Sequence, residues 1–245
     1  MCIIGMFTNR SLIQVAYANT IIGNDNVIVI ADKDTVPLLK GRIPDDVLLE
    51  ENLADIWMRD FTTVIPQGPI RFKYRPFYFD NMEDAIFIQG SFEQFAERWG
   101  LQFQTSDLIL DGGHIVDNNN MVITTERFVE NNHLSVSDAR EELKVVLGVE
   151  HIAIIPYDDK VMGHADGMVM FADDDTVIVN KYKEPFRTKV LDALRSGLPA
   201  TVEIIKVETK FDDSVWDGYF SACGINLNAT VTNNHIYVPI FKKST

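Results

Sequence analysis

The chain has 245 residues, of which 46% are hydrophobic and 24% are charged, and its formal net charge is −14. This size and composition predict one globular domain over residues 1–245. The charge argues against partners such as nucleic acid or an anionic membrane and favours a small cationic ligand, although solubility alone would explain it equally well. No apolar run is long enough to span a bilayer. With two cysteines and no signal-peptide pattern, we expect a cytoplasmic location.

Apolar runs rich in β-branched residues predict strands in the first half of the chain. Val27–Ala31 has the composition of a buried strand. Residues 108–110 and 121–124 are predicted to pair as a hairpin around the polar turn 117–120. We interpret this turn as hairpin chemistry and not as a calcium loop, because the ligand spacing and closing glutamate of such a loop are absent.

Helical periodicity separates these runs. Ser91 and Gln94 resemble a capping box, and the apolar face that follows consists of Phe92, Phe95, Ala96 and Trp99. A second helix is predicted from Ser135 to a Gly148 cap, and a third over about residues 185–197 with Pro185 in its first turn. Two further apolar strands are predicted after these helices, at residues 152–155 and 202–205.

Polar clusters recur along the chain at a nearly constant interval. Asp60 and Gly112 are 52 residues apart, Gly112 and Gly163 are 51 apart, and Gly163 and Gly218 are 55 apart. Counting back 52 residues from Asp60 reaches Thr8. The interval predicts repeated ββαβ units in a radial or stacked array, with their polar ends converging on one central site.

Four short motifs lie on this repeat: DIWMRD at 55–60, LDGGHI at 110–115, TTE at 124–126 and GHAD at 163–166. Together with the stretch at 226–241, they resemble the agmatine deiminase and bacterial (Porphyromonas-type) peptidylarginine deiminase family of the guanidine-modifying (pentein) superfamily. The similarity runs from about Phe7 to Phe241. It implies an α/β fold, a five-bladed α/β propeller of ββαβ repeats, which we expect to be incomplete at both ends.

The resemblance also implies roles for individual residues. Asp60 and Asp166 would grip the planar guanidinium of agmatine or arginine through charge-assisted hydrogen bonds. His164 would be the general acid and base of the deiminase reaction. Asp111 stands where the family has a glutamate that supports this histidine. Four neighbouring residues are candidates for substrate binding: Trp57, Arg59, Gly112 and Gly113. We expect no cofactor and no metal.

Simpler interpretations of the same residues remain open. Asp60 and Arg59 could form a surface ion pair at a strand end, and Gly112-Gly113 could be a bulge. His164 and Asp166 are two apart, so on a strand they would share a face and could form a structural hydrogen bond or ligate a metal. Against a metal, no third ligand has recognisable spacing, since the other candidates are scattered at His114, His133 and His151.

The nucleophile of the family, a cysteine in a final blade, has no counterpart in this sequence. The repeat interval would place this cysteine at about position 270. Cys2 is a long-shot substitute for this nucleophile, and Cys223 is predicted to be a small buried hydrophobic residue. The chain could therefore be part of a longer enzyme, a pseudoenzyme that binds guanidines or polyamines without turnover, or a subunit completed by a homo-oligomer through open blade edges. For the 245 residues alone we expect little or no turnover.

Overall fold

The computed structural model describes residues 2–6, 11–212, 214–216 and 219–241; Thr8 and Gly218, two positions of the predicted repeat, lie outside them. The helices are α1 (Ser11–Ile21), α2 (Val36–Leu39), α3 (Met58–Phe61), α4 (Met82–Trp99), α5 (Glu126–Asn131), α6 (Val136–Leu147) and α7 (Phe186–Gly197). The strands are β1 (Cys2–Met6), β2 (Val27–Ala31), β3 (Leu48–Glu50), β4 (Ile70–Lys73), β5 (Gln104–Ile109), β6 (Val116–Asp117), β7 (Met121–Thr125), β8 (His151–Ile155), β9 (Val169–Phe171), β10 (Thr176–Asn180), β11 (Glu203–Val207), β12 (Val215–Trp216), β13 (Tyr219–Phe220), β14 (Thr230–Val231) and β15 (Ile236–Tyr237).

The described strands form six small sheets, which are β1-β2-β3, β4-β5, β6-β7-β8, β9-β10-β11, β12-β13 and β14-β15. In two of these sheets an antiparallel pair is followed by one or two helices and a parallel returning strand. β6 pairs antiparallel with β7, which pairs parallel with β8; β9, β10 and β11 repeat this arrangement. The predicted α/β class is confirmed, and within the described ranges no sheet closes on itself.

The two ββαβ units share one hydrophobic core. Its buried side chains come from β7, β8, β10 and α7, among them Ile123, Ala153, Val177 and Leu194. Helix α7 lies against β8 of the preceding unit, and at Gly197 a Cβ atom would stand 2.4 Å from the Cα atom of Ala153. The second unit is therefore packed against the sheet of the first through α7. This contact fixes the positions of the turns at the ends of the two units relative to each other.

Two of the three predicted helices have the expected limits. Ser135 caps α6, because its Oγ accepts a hydrogen bond from the backbone N–H of Asp138 at 3.1 Å, and Gly148 ends the helix in the left-handed conformation at φ +67°. Helix α7 ends at Gly197 as predicted and begins at Phe186, so Pro185 is its N-cap and does not lie in its first turn. None of the helices in the described residues is long and apolar enough to cross a membrane.

The helix predicted from Ser91 begins nine residues earlier, so the proposed capping box was wrong. Asn81 is the actual N-cap of α4, and its side chain accepts from the backbone N–H of Glu83. Ser91 lies inside the helix, where its hydroxyl donates to the carbonyl of Ile88 and accepts from the backbone N–H of Ala54. The predicted face is buried except for Trp99, which is 52% exposed.

The predicted hairpin was wrong in its first strand. Leu108 and Ile109 belong to β5, which pairs parallel with β4, whereas the strand that pairs antiparallel with β7 is Val116–Asp117. The chain turns between them because Gly112–His114 form a short 3-10 helix that directs it towards α3. Strand β11 also begins one residue later than predicted and ends two residues later.

A polar contact joins the last described strands to the first sheet. The carboxylate of Asp25, in the turn before β2, accepts hydrogen bonds from the Thr232 hydroxyl at 3.0 Å, from His235 Nδ1 at 2.8 Å and from the Tyr237 hydroxyl at 2.6 Å. We call these four residues the Asp25 clasp. It connects positions more than 200 residues apart.

Candidate active site

Three segments that are far apart in sequence meet at one buried cluster. Asp60 lies in α3, Asp111 directly precedes the 3-10 turn after β5, and His164 and Asp166 lie in the turn before β9. Two expectations about local structure were therefore wrong. Asp60 is not at a strand end, and His164 and Asp166 reach the cluster from a tight turn rather than from one face of a strand.

Gly112 and Gly113 make this convergence sterically feasible. A Cβ atom on Gly112 would stand 1.8 Å from the carbonyl oxygen of Arg59, and one on Gly113 would stand 2.3 Å from His164 Nδ1. The backbone N–H of Gly113 donates to Asp60 Oδ1 at 2.8 Å, and its carbonyl accepts from the N–H of Asp166 at 3.1 Å. These glycines are thus not a simple bulge, since they join all three segments through close approach and hydrogen bonds.

The histidine predicted as acid and base lies between two carboxylates. His164 Nδ1 is 4.0 Å from Asp60 Oδ1, and His164 Nε2 is 3.8 Å from Asp111 Oδ2. All three side chains are at least nine-tenths buried. Asp111, although one methylene shorter than the glutamate that the resemblance implies at this position, brings a carboxylate close to the ring.

Arg59 pairs with Asp166 and not with the adjacent Asp60. Its Nε lies 2.9 Å from Asp166 Oδ2, and its Nη2 donates to the carbonyl of Ile115 at 3.1 Å. The Arg59 side chain is 48% exposed, while that of Asp166 is only 7% exposed. Asp166 therefore already binds one guanidinium, that of Arg59, which approaches it from the solvent side.

Sequence reasoning missed His114 as a member of the cluster. Its Nε2 is 4.0 Å from Asp111 Oδ2, and its ring centroid is 4.7 Å from that of His164. The signal was present in the sequence, because His114 follows Asp111 by three residues and one turn of 3-10 helix places such residues on the same side. Of the other histidines considered as ligands, His133 lies in the exposed turn after α5 and His151 begins β8.

Burial and the charges within the cluster determine the pKa values of its members. Burial raises the pKa of Asp60 to about 6, with further increases from Asp166 and Asp111 that the positive His164 partly offsets. Burial by itself would lower the pKa of His164, but the three neighbouring carboxylates outweigh it and raise that pKa to about 9. Burial, and then the charge of His164, lowers the pKa of His114 well below its ordinary value.

Several polar atoms in the cluster have no hydrogen-bond partner among the described residues. They are Asp111 Oδ1, Asp166 Oδ1 and His164 Nε2, and each is fully shielded from solvent. Buried polar atoms are nearly always paired in folded proteins, so such a group of unpaired ones indicates a place where a ligand, ion or water binds. Both acceptor oxygens belong to carboxylates, so a cation or a donor-rich group suits them.

The surroundings contain two further groups that were not predicted. Tyr74 and Tyr78 place their hydroxyl oxygens 3.3 Å apart, and burial is the main cause that raises the pKa of each, with smaller increases from the nearby Asp60 and Asp111. Trp57, a predicted substrate contact, is 57% exposed and lies one turn before Asp60. It borders the solvent and not the buried part of the cluster.

The cysteines do not supply a thiol to the cluster in the described part of the structure. Cys223 is exposed, so its predicted burial was wrong; it lies in a loop whose backbone bonds to Asp212 and Ser221. The prediction for Cys2 concerns a side chain outside the described part of the structure, although its backbone pairs with that of Val27 in β1.

Comparison with known proteins shows which sequences and folds this chain is similar to. A putative agmatine deiminase of Vibrio parahaemolyticus is 23% identical over 81% of this chain and 66% of its own length, and one of Marinomonas is 30% identical over 79% and 60%. The chain thus spans less than two thirds of the length of these relatives. The solved agmatine deiminase of C. jejuni superposes with a TM-score of 0.79 at 15% identity, covering 99% of this chain and 80% of that one. The family model for Porphyromonas-type peptidyl-arginine deiminases matches residues 7–245. The chain therefore belongs to the Porphyromonas-type peptidyl-arginine deiminase family.

Proposed function

We propose that this chain carries the guanidinium-binding site of a deiminase, a hydrolase that converts a substrate such as agmatine or arginine to a ureido product and ammonia. The observation that carries the proposal is the convergence of Asp60, Asp111 and Asp166 around His164 in one buried cluster. Three carboxylates near one imidazole leave an excess of negative charge, which a cationic substrate would neutralise.

The contact between Arg59 and Asp166 supports a guanidinium over other cations. A guanidinium is planar and offers N–H groups in a fixed fork, whereas a primary ammonium is a compact point charge. Asp166 accepts from the Arg59 guanidinium through Oδ2 and keeps Oδ1 unpaired. A second guanidinium can therefore use Oδ1 of Asp166, with Asp60 as the other carboxylate of the pair.

His164 is placed for the proton transfers of such a reaction. In the covalent route that the family implies, a thiolate adds to the guanidinium carbon, and the leaving nitrogen takes a proton and departs as ammonia. Water then adds to the amidino-thioether, giving up a proton, and the thiolate leaves to give the ureido product. A protonated His164 would donate in the first step and, once neutral, accept in the second.

No residue is assigned as the nucleophile of this route. Among the side chains that the structure describes, the one thiol is that of Cys223, which is exposed in a separate loop and not in the cluster. This observation favours a second candidate, in which these 245 residues bind a guanidine or polyamine without turning it over. Such binding would be a property of a pseudoenzyme, or of a chain completed by further residues or another subunit.

We also propose that the ββαβ units are blades of an α/β propeller within one domain. The repeated order of β6 to β8 and β9 to β11, and the shared core between them, support this arrangement. In a propeller the inner ends of the blades surround a common axis, which would explain why turns 52 and 51 residues apart meet at one cluster.

Product formation separates the two candidates. The protein would be incubated with agmatine and with arginine, and ammonia and the ureido product would be measured together with binding by calorimetry. Deimination that persists in Cys2→Ala and Cys223→Ala would exclude both thiols as nucleophile. Saturable binding without product would support the binding-only candidate, and absence of both binding and product would contradict the proposed site.

A further inference from the structure

We propose that Asp111, His114 and His164 form a binding site for one divalent transition-metal ion of the Zn²⁺ class. One carboxylate oxygen and one ring nitrogen from each histidine lie within 4.8 Å of one another, and all three residues are buried. Two imidazoles and one carboxylate are a donor set that Zn²⁺ and related ions prefer, with a fourth position left for water or another ligand.

The hydrogen bonds around His114 direct a lone pair into this site. The Thr125 hydroxyl donates its only hydrogen to the carbonyl of Gly163 at 2.7 Å. Its oxygen lies 3.3 Å from His114 Nδ1, so this contact requires an N–H on Nδ1. In the neutral ring Nε2 then carries the lone pair, and Nε2 is the atom that lies 4.0 Å from Asp111 Oδ2. A ring whose second nitrogen donates to a fixed oxygen is the usual arrangement of a metal-bound histidine.

His164 and Asp111 provide the other donors. His164 Nε2 and Asp111 Oδ1 are buried and have no partner among the described residues, and His164 Nε2 lies 3.8 Å from Asp111 Oδ2. Tetrahedral ligands at about 2.0–2.1 Å from zinc stand roughly 3.4 Å from one another. The three donors lie within 4.8 Å of one another, so shifts of about 1 Å per side chain would bring them to bonding distance. Asp60, 4.0 Å from His164 Nδ1, is on the far side of that ring and could orient it.

The metal site overlaps the proposed reaction site at His164 and Asp111, while the guanidinium carboxylates Asp60 and Asp166 are not among the metal donors. Metal binding would require His164 to release the proton on Nε2, so a bound metal would block the proton transfers proposed for that residue. Metal binding is measured without substrate, so either proposal can fail while the other stands.

The test uses untagged protein treated with a chelator and then dialysed against Zn²⁺ or titrated with Co²⁺. We expect about one equivalent of bound zinc by elemental analysis and the intense visible absorption of tetrahedral Co²⁺. Thr125→Val should weaken binding by roughly 10–100-fold, the usual cost of losing an outer-sphere partner, and His114→Asn by more. His133→Asn, at an exposed histidine outside the cluster, is the matched control and should bind like the wild type.

Wild-type protein that binds no stoichiometric zinc, or whose Co²⁺ spectrum shows only weak octahedral bands, would overturn the proposal. Equal metal affinity in wild type and His114→Asn would also overturn it, because the metal would then be elsewhere. If His114→Asn does not fold, the wild-type spectrum and Thr125→Val decide the question.

Discussion

The carboxylates of the Asp25 clasp and of the buried cluster have opposite surroundings. Asp25 accepts three hydrogen bonds, from Thr232, His235 and Tyr237, and the Tyr237 hydroxyl is the main reason that its pKa is lowered. In the cluster, by contrast, Asp111 and Asp166 each keep a buried oxygen without a partner, and the pKa of Asp60 is raised to about 6. A carboxylate whose acceptor sites are filled stabilises the fold, whereas unfilled acceptors leave room for a ligand.

The largest expected effect is on ligand binding in Asp166→Ala. Removing one of the two carboxylates proposed for the guanidinium should weaken agmatine binding by about 2–5 kcal/mol, because the remaining charges would stay buried and unpaired. Calorimetry of wild type and variant measures this difference. Asp107→Ala, at a fully exposed aspartate beside Lys73, is the control and should bind normally. Equal affinity of Asp166→Ala and wild type would remove Asp166 from the site.

The next effect concerns the glycine that lets the cluster form. Gly112→Ala should lower the free energy of unfolding by about 1–3 kcal/mol or more, because its Cβ would overlap the carbonyl of Arg59 at 1.8 Å. Gly90→Ala is the matched control within α4, where a Cβ meets nothing within 4 Å. That change should stabilise the protein by about 0.5–1 kcal/mol through helix propensity. Chemical denaturation would contradict this account if both variants shifted in the same direction.

The site residues show which parts of this arrangement the sequence could predict. Asp60, Asp111, His164 and Asp166 were identified through motifs, and they do meet in space. The partner of Arg59 was not predictable from its neighbour in sequence, because α3 turns Arg59 towards Asp166. His114 was missed because its position beside Asp111 depends on the 3-10 turn Gly112–His114, which was not predicted.

In the fold, as in the site, features that local sequence determines were predicted correctly, whereas features that depend on tertiary contacts were not. Helix α6 was predicted correctly because its caps, Ser135 and Gly148, act within the helix. Ser91 was misread because the same Ser-x-x-Gln spacing also occurs inside α4, where tertiary contact with Ala54 uses the hydroxyl. The hairpin of β6 and β7 was misassigned because two glycines redirect the chain between apolar runs of similar composition.

A smaller effect is expected from pH on ligand binding by metal-free protein. Asp60 must be ionised to bind a guanidinium, and it becomes protonated as the pH falls through about 6. Lowering the pH from 7 to 5 should therefore weaken agmatine binding by about tenfold, since the ligand stays charged throughout. Calorimetry with chelator present measures the change. In Asp60→Asn binding should be weak at both pH values, and an unchanged pH dependence there would assign the effect to another group.

The smallest effect is expected at the clasp. Asp25→Asn should lower the thermal midpoint at neutral pH without changing agmatine affinity. Because the pKa of Asp25 in the folded protein lies below its unfolded value, its contribution is present above the unfolded pKa and is lost as the pH falls through the folded pKa. The difference in midpoint between wild type and variant should shrink in acid. A loss of agmatine binding in Asp25→Asn would contradict this prediction, because the clasp would then affect the ligand site as well as stability.

The central claim, that the unfilled carboxylates bind a guanidinium, is tested most directly by titrating metal-free wild-type protein with agmatine and with putrescine. Putrescine has the same carbon chain and carries a primary ammonium in place of the guanidinium, so charge and length are closely matched. We predict saturable binding of agmatine at least about tenfold tighter than that of putrescine, because two carboxylates suit a planar fork better than a point charge. Equal affinity for the two ligands, or no binding of agmatine, would contradict the account.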